Sequence, residues 1–153
     1  MSWEIHEGEL DHDDVRALLA QHYAEMRGGS PPEACYVLPI DGLKTAQLRF
    51  FTLREEGALL GCGALKRLEV GHGEVKSMRT ANNALGRGVG KALLDHIVDI
   101  ARTEGMSRLS LETGSTEQFS AAIRLYERGG FRSSEPFGGY RDTPFTRFFT
   151  REI

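Results

Sequence analysis

The 153-residue chain carries 19 Lys and Arg against 22 Asp and Glu, a formal net charge of −3 at pH 7, and 40% of its residues are hydrophobic. This length suits one domain over residues 1–153 with a substantial core, and the slight acidity argues against a nucleic-acid partner. No apolar run approaches the roughly twenty residues that span a bilayer, and no signal-peptide core is present, so we expect a cytoplasmic protein with no membrane partner.

Hydrophobic periodicity and turn residues predict elements in the order β-α-α-β-β-β-α-β-α-β-β. The first half predicts a strand, a helix, a short helix after a proline-rich loop and three strands, over residues 3–7, 11–29, 38–46, 48–54, 58–69 and 74–80. The second half predicts a long amphipathic helix, a strand, a helix that carries Tyr126, and two strands around a glycine-containing loop. The long helix, the following strand and that last loop are predicted over residues 88–104, 107–112 and 137–140. This alternation is typical of an α/β or α+β sheet protein.

Cys35 and Cys62 are the only cysteines, and neither lies in a Cys-x-x-Cys pair or at a spacing from His that suggests zinc. We expect both to be reduced, with Cys62 buried as a small hydrophobic residue. The acidic cluster over residues 11–14 precedes apolar residues at helical spacing, so it is interpreted as a helix start rather than as a metal site. No metal is predicted.

The most informative segment is a glycine-rich turn that leads into the long amphipathic helix. Such a turn lets the main chain approach an anion, and the first N–H groups of a helix attract negative charge. A Walker A loop would need Ser or Thr at Ala92, and a dinucleotide fingerprint would need Gly at Lys91 or Leu93. The segment therefore predicts a phosphorylated cofactor of another class, with a ligand-free glycine turn as the alternative. The three alternating glycines are Gly86, Gly88 and Gly90.

Two segments together resemble the signatures of the GNAT family, the GCN5-related N-acetyltransferases. The usual loop of that family reads Arg/Gln-x-x-Gly-x-Gly/Ala, and its two small positions match Gly88 and Gly90. A second family signature, Ala-x-x-Leu-Tyr-Glu-x-x-Gly-Phe, resembles residues 122–131 and places Tyr126 at its tyrosine. Leu85 replaces the family's Arg or Gln, and Phe119 stands where many members have Asn, so neither polar contact carries over.

The resemblance implies a mixed, mostly antiparallel sheet flanked by helices, with two strands that splay into a V-shaped cofactor slot. It also implies an acetyl-CoA-dependent N-acetyltransferase that acts on a primary amine of a small molecule by direct attack in a ternary complex, and it is compatible with a homodimer. The departures at Leu85 and Phe119 leave a non-catalytic acyl-CoA-binding sensor as the alternative.

The resemblance implies cofactor contacts from the strand before the loop and from the loop itself: Met78, Arg79, Thr80, Gly86, Arg87, Gly88, Val89, Gly90 and Lys91. Tyr126 is the implied general acid near the CoA sulfur, and a core aromatic is the alternative interpretation of this residue. Acetyl transfer also needs a base for the amine. Glu74 is favoured, with a solvent-facing strand end as its alternative interpretation, and Glu112 is the second candidate.

The acceptor walls are expected over residues 28–41 and 137–145, because loops select the substrate in this family. The tail over residues 135–145 also resembles a subgroup of small bacterial acetyltransferases. Its Arg141 suggests an acceptor with a carboxylate, or else a surface salt bridge.

Overall fold

The computed structural model describes residues 2–32, 36–45 and 47–153. Its strands form a seven-stranded sheet with the spatial order β1-β2-β3-β4-β5-β7-β6. The pairs are antiparallel except for β4 and β5, which run parallel. In chain order the elements are β1 (Trp3–Glu7), α1 (Asp13–Gly29), β2 (Leu48–Glu55), β3 (Ala58–Glu69), β4 (His72–Thr80), α2 (Val89–Thr103), β5 (Arg108–Gly114), α3 (Ser120–Arg128), β6 (Arg132–Ser133) and β7 (Thr146–Glu152). Short 3-10 turns cover Ile40–Leu43, Asn82–Ala84 and Glu117–Phe119.

Helices cover both faces of the sheet and bury two separate apolar clusters. The apolar stripe of α2 packs with Phe51, Leu65 and Val75 on one face, and Tyr126 of α3 belongs to the same cluster. On the other face, α1 packs over the first strands through a second cluster: Val15, Leu18, Leu19, Leu43, Leu48, Phe50, Cys62 and Ala64. No helix in the described ranges is long and apolar enough to cross a membrane.

A bulge in β4 lies close to the point where the sheet opens. Cys62 of β3 pairs with Arg79 and Ala64 pairs with Lys76, so β4 contains one residue more than β3 over this stretch. Ser77 lies in the bulge with a φ of 55°, and its carbonyl accepts a hydrogen bond from the Cys62 thiol at 3.4 Å. β4 and β5 pair only from His72 to Glu74. Beyond that point they diverge, which confirms the predicted V-shaped slot.

Three local predictions need correction. The helix predicted over residues 38–46 is only the 3-10 turn Ile40–Leu43, because Pro39 holds an extended conformation before it and the turn contains a glycine. β4 begins two residues earlier than predicted, at His72. The acidic start of α1 has no side-chain cap, since Asp11 binds Lys44 at 2.6 Å and Asp14 binds Arg54 at 2.6 Å.

The buried thiol of Cys62 agrees with its prediction, since the side chain is completely inaccessible and burial raises the pKa of the thiol to about 12. Cys35 lies outside the described residues.

Candidate active site

A cleft of about 460 Å³ opens where β4 and β5 diverge. Its walls come from β4, the end of β5, the beginning of α2, the inner face of α3, and the end of α1 with the loop that follows. The cleft therefore brings together the glycine loop, the tyrosine helix and two strands, as the resemblance implied. The titratable side chains that line it are His22, Glu25, Tyr36, Cys62, Lys76, Arg79, Glu112 and Tyr126.

The glycine loop borders this site: Leu85 and Gly90 line the cleft, whereas the predicted contact residues Gly86, Arg87, Gly88, Val89 and Lys91 do not. Gly86 and Gly88 have φ angles of 77° and 88°, and a Cβ atom at either position would meet no atom within 4 Å. α2 starts directly after Gly88 with no side-chain cap, so no side chain competes for the main-chain N–H groups of its first turn. An open turn beside an uncapped helix start fits the pyrophosphate of a CoA molecule.

The middle of the site is the slot between the diverging strands. Met78, Arg79 and Thr80 line it, on the part of β4 that has no pairing with β5. An extended ligand can pair with such a strand edge through main-chain hydrogen bonds. At Gly90 a Cβ atom would lie 2.9 Å from Leu125 Cδ2, so any larger residue there would displace the end of the Leu125 side chain on α3. The cofactor-binding roles of these residues remain predictions.

Two loop side chains that were predicted to contact the cofactor are engaged elsewhere. Arg87 Nη2 donates to both carboxylate oxygens of Glu55, at 2.9 and 3.0 Å, and its guanidinium lies 5.7 Å from the centroid of the Trp3 ring system. Lys91 pairs with Asp95 at 2.6 Å on the exposed side of α2. Contacts from these positions to a cofactor are therefore expected from their main-chain N–H groups.

Tyr126 is both a core aromatic residue and part of the cleft wall. It is only 7% exposed and packs in the core, and it also lines the cleft. Burial, together with the nearby charge of Glu112, raises the pKa of the Tyr126 phenol above its usual range. The hydroxyl therefore stays protonated at neutral pH and is able to donate a proton.

The two candidate carboxylates differ in their access to the cleft. Glu112 lines it, and burial raises its pKa to about 7, opposed in part by Lys76 and assisted by Glu74. Glu74 is 1% exposed, so its interpretation as a solvent-facing strand end is wrong. It is not among the lining residues, and its Oε2 accepts hydrogen bonds from Lys76 at 3.2 Å and from Tyr140 at 2.5 Å. Its role as the base remains a prediction.

The two segments that were predicted to form the acceptor walls contribute unequally to the lining of the cleft. From the first, Ser30, Tyr36 and the residues 37–38 line the cleft, while residues 33–35 lie outside the described ranges. The second wall lies behind the first: Tyr140 packs edge-on against Tyr36 with ring centroids 4.6 Å apart. Arg141 is exposed and does not line the cleft. Its proposed contact with an acceptor carboxylate therefore has no support in this geometry.

A polar cluster at the α1 end of the cleft was not predicted from the sequence. Arg79 Nη2 donates to Glu25 at 2.8 Å, and His22 lies beside this pair. Burial, and then the positive charge of Arg79, lower the pKa of His22 to about 4, so this imidazole is neutral at pH 7. The signal was present in the sequence: His22 follows Val15, Leu18 and Leu19 on the buried face of α1, where a polar residue is unusual.

The two departures from the family pattern both border the cleft. Leu85 is exposed at the glycine loop, and Phe119 is buried beside α3. A Cβ atom at Gly114 would collide with the Phe119 ring, so that ring packs directly on the end of β5. Both side chains give the cleft apolar surface instead of polar contacts.

Comparison with known proteins agrees with this geometry. The chain matches the Acetyltransferase (GNAT) family over residues 13–131. It is 41% identical to the uncharacterized N-acetyltransferase YsnE of Bacillus subtilis, over 95% of this chain and 96% of that protein. It is 37% identical to an IAA acetyltransferase of Azospirillum brasilense, over 80% of each chain.

Solved structures share the fold. A GNAT acetyltransferase from Staphylococcus aureus gives a TM-score of 0.74 at 16% identity and covers 99% of both chains. The PaiA N-acetyltransferase of Thermoplasma acidophilum, solved with coenzyme A, gives a TM-score of 0.75 at 15% identity and covers 100% of both chains. With the family match and the close bacterial relative, the chain belongs to the GNAT family of acetyltransferases.

Proposed function

We propose that this acetyltransferase moves the acetyl group of acetyl-CoA to the primary amine of a small molecule, by direct attack in a ternary complex. Acetyl-CoA is the acyl donor of the family, and its thioester supplies the activated acetyl group. One observation carries the proposal: Glu112 and Tyr126 line the same slot, beside a glycine loop that fits the phosphates of CoA.

The amine must lose a proton before or during attack, because an ammonium ion has no lone pair. A carboxylate with a pKa near the working pH is well matched to this task. Glu112 has such a pKa and faces the cleft. Glu74 remains the competing assignment, and from its buried position it would act through water or through its neighbour Lys76. We therefore favour Glu112 as the group that accepts the proton directly.

The departing sulfur needs a proton donor. Tyr126 lines the slot with a phenol that is protonated at neutral pH and can supply this proton. Neither step requires a covalent bond between the acetyl group and the protein. The geometry thus supports general acid–base catalysis.

A thiol-release assay over a panel of primary amines tests the proposal, with acetyl-CoA affinity measured in parallel by calorimetry. We expect turnover with part of the panel and a strong loss of turnover in Glu112→Gln. Glu127→Gln is the matched control, since Glu127 is exposed on α3 and does not line the cleft. Tight acetyl-CoA binding without turnover of any amine would contradict the proposal and favour the acyl-CoA sensor.

A further inference from the structure

Two buried nitrogen atoms at the α1 end of the cleft have no hydrogen-bond partner among the described residues. They are His22 Nδ1 and Arg79 Nε. His22 is 8% exposed and the Arg79 side chain is 14% exposed, and both residues line the cleft. Buried polar atoms without a partner are rare in folded proteins, because each unmade hydrogen bond is costly. Their position in the wall of a substrate cleft suggests that a ligand supplies the partner.

The chemistry of the two atoms indicates what this ligand group is. Arg79 Nε carries an N–H that can only donate. His22 is a neutral imidazole, and in the tautomer with the proton on Nδ1 its unpaired atom also donates. A carboxylate offers two acceptor oxygens and a negative charge to the guanidinium, and Arg binds this group through parallel N–H donors.

Arg79 is more available to such a ligand than Lys76, the other cation in the cleft. Lys76 already donates to the buried Glu74 and, at 2.7 Å, to Tyr140. The partner of Arg79 is Glu25, whose side chain is 47% exposed. A pair with a half-exposed carboxylate is weak, so Glu25 can move to solvent and release the guanidinium.

We propose that Arg79 and His22 form a carboxylate subsite, so that the acceptor is a small amine that also carries a carboxylate, as amino acids do. This inference rests on the proposed function, because the subsite is assigned to the acceptor. Once Glu25 turns to solvent, the cleft has the matching polarity: Glu112 lines it near Tyr126, and Arg79 gives the α1 end a positive charge.

The test compares acceptors that differ only in the carboxylate: L-leucine with isoamylamine, L-phenylalanine with phenylethylamine, and L-lysine with cadaverine. kcat/KM is measured for each acceptor with wild type, Arg79→Gln, Arg79→Lys and His22→Phe. For each acceptor, kcat/KM of the variant is divided by kcat/KM of wild type, which cancels the differences in basicity between the amines. Arg132→Gln is the matched control, because Arg132 pairs with Glu152 on the exposed edge strand β6, outside the cleft.

We expect Arg79→Gln to lower kcat/KM roughly 10- to 100-fold for the amino acids, the effect of a lost hydrogen bond to a charged group, and less than about 3-fold for the matched amines. Arg79→Lys keeps the charge but loses the planar donor edge, so it should lose most of the preference as well. His22→Phe should have a smaller effect in the same direction. Arg132→Gln should change neither class.

Calorimetry with the N-acetyl products of the same pairs, added to the CoA-loaded protein, measures carboxylate recognition without turnover. If wild type binds the N-acetyl amino acids more tightly than the N-acetylated amines, and Arg79→Gln loses this difference, the subsite is supported. This conclusion holds even if no acceptor turns over, because absent turnover would count against the proposed function alone. Equal binding of the paired ligands by wild type overturns the subsite. An equal loss of binding for both ligands of a pair in the folded Arg79→Lys variant also overturns the subsite. In either case, turnover of the amines would leave the proposed function intact.

Discussion

The titration of Glu112 predicts how acetyl transfer depends on pH. With a pKa of about 7, the ionised fraction of this carboxyl falls from about one half at pH 7 to about one tenth at pH 6. The single-turnover rate of the loaded enzyme should therefore fall about fivefold from pH 7 to pH 6, and about tenfold over each further unit below pH 6. With the ordinary value of 4.5, the same rate would have no inflection near pH 7. Rapid-quench measurement at saturating acceptor between pH 5.5 and 8.5 shows the difference.

Glu112→Gln separates the roles of the carboxylate in catalysis and in stability. The pKa of Glu112 is raised in the folded state, so its contribution to stability is present below pH 4.5 and is lost as the pH rises through 7. At pH 8 the buried charge costs at most about 3 kcal/mol. We therefore expect Glu112→Gln to unfold at higher urea than wild type at pH 8, and to lose this advantage near pH 5.

The same variant should lose most of its activity and the inflection near pH 7. A profile of Glu112→Gln that keeps this inflection would refute the assignment of Glu112 as the base. If Glu74→Gln then lost activity while remaining folded, Glu74 would become the favoured base.

Three further outcomes follow from the cleft and the core. Gly88→Val should weaken CoA binding by about 1–3 kcal/mol and leave pantetheine binding unchanged, because in the proposed assignment the loop holds the phosphates. Calorimetry with both ligands measures this, and equal weakening would contradict it. Tyr126→Phe should lower single-turnover acetyl transfer about 10²- to 10⁴-fold with little change in CoA affinity, while the control Tyr23→Phe, outside the cleft, keeps the wild-type rate. Arg54→Met should lower the free energy of unfolding in urea by about 2–4 kcal/mol, because the Glu9 carboxylate, which lies 3.0 Å from Arg54 Nε, loses its charged partner. An unchanged midpoint of urea unfolding would argue against a structural role for Arg54.

The fold was predictable where the pattern is local. α2 lies within one residue of its predicted bounds at both ends, because its apolar stripe is regular and glycines flank it. The strand predicted over 58–69 coincides with β3. The spatial order of the strands was not available from periodicity, since β7 is inserted between β5 and β6 through pairing over long sequence distances. The resemblance to a family implied the mixed, mostly antiparallel sheet and its slot, but the order of the strands is visible only in the folded chain.

The site was predictable where a backbone conformation demands a residue type. The positive φ at Gly88 strongly favours glycine, so the cradle is visible in the sequence. The raised pKa of Glu112 depends on burial by other elements, which no local pattern records. The pair of Arg79 with Glu25 joins β4 to α1 across 54 positions, and the bond from Tyr140 to Glu74 spans 66. Such contacts become visible only in the folded chain.

The bulge at Ser77 links the cofactor slot to the proposed carboxylate subsite. In a regular strand side chains alternate, so Arg79 would share the face of Val75 and point into the apolar cluster under α2. The extra residue shifts this alternation. Val75 and Met78 now pack against that cluster, and Arg79 instead contacts α1 on the other face. The bulge thus lies on the part of β4 that no longer pairs with β5, and it brings the Arg79 guanidinium to the α1 end of the same cleft, which is proposed to hold the acceptor. The cost is one serine with a positive φ, a strain of about 1–2 kcal/mol. In the proposed assignment, one bulge therefore couples the slot for the acyl donor to the polarity of the acceptor pocket.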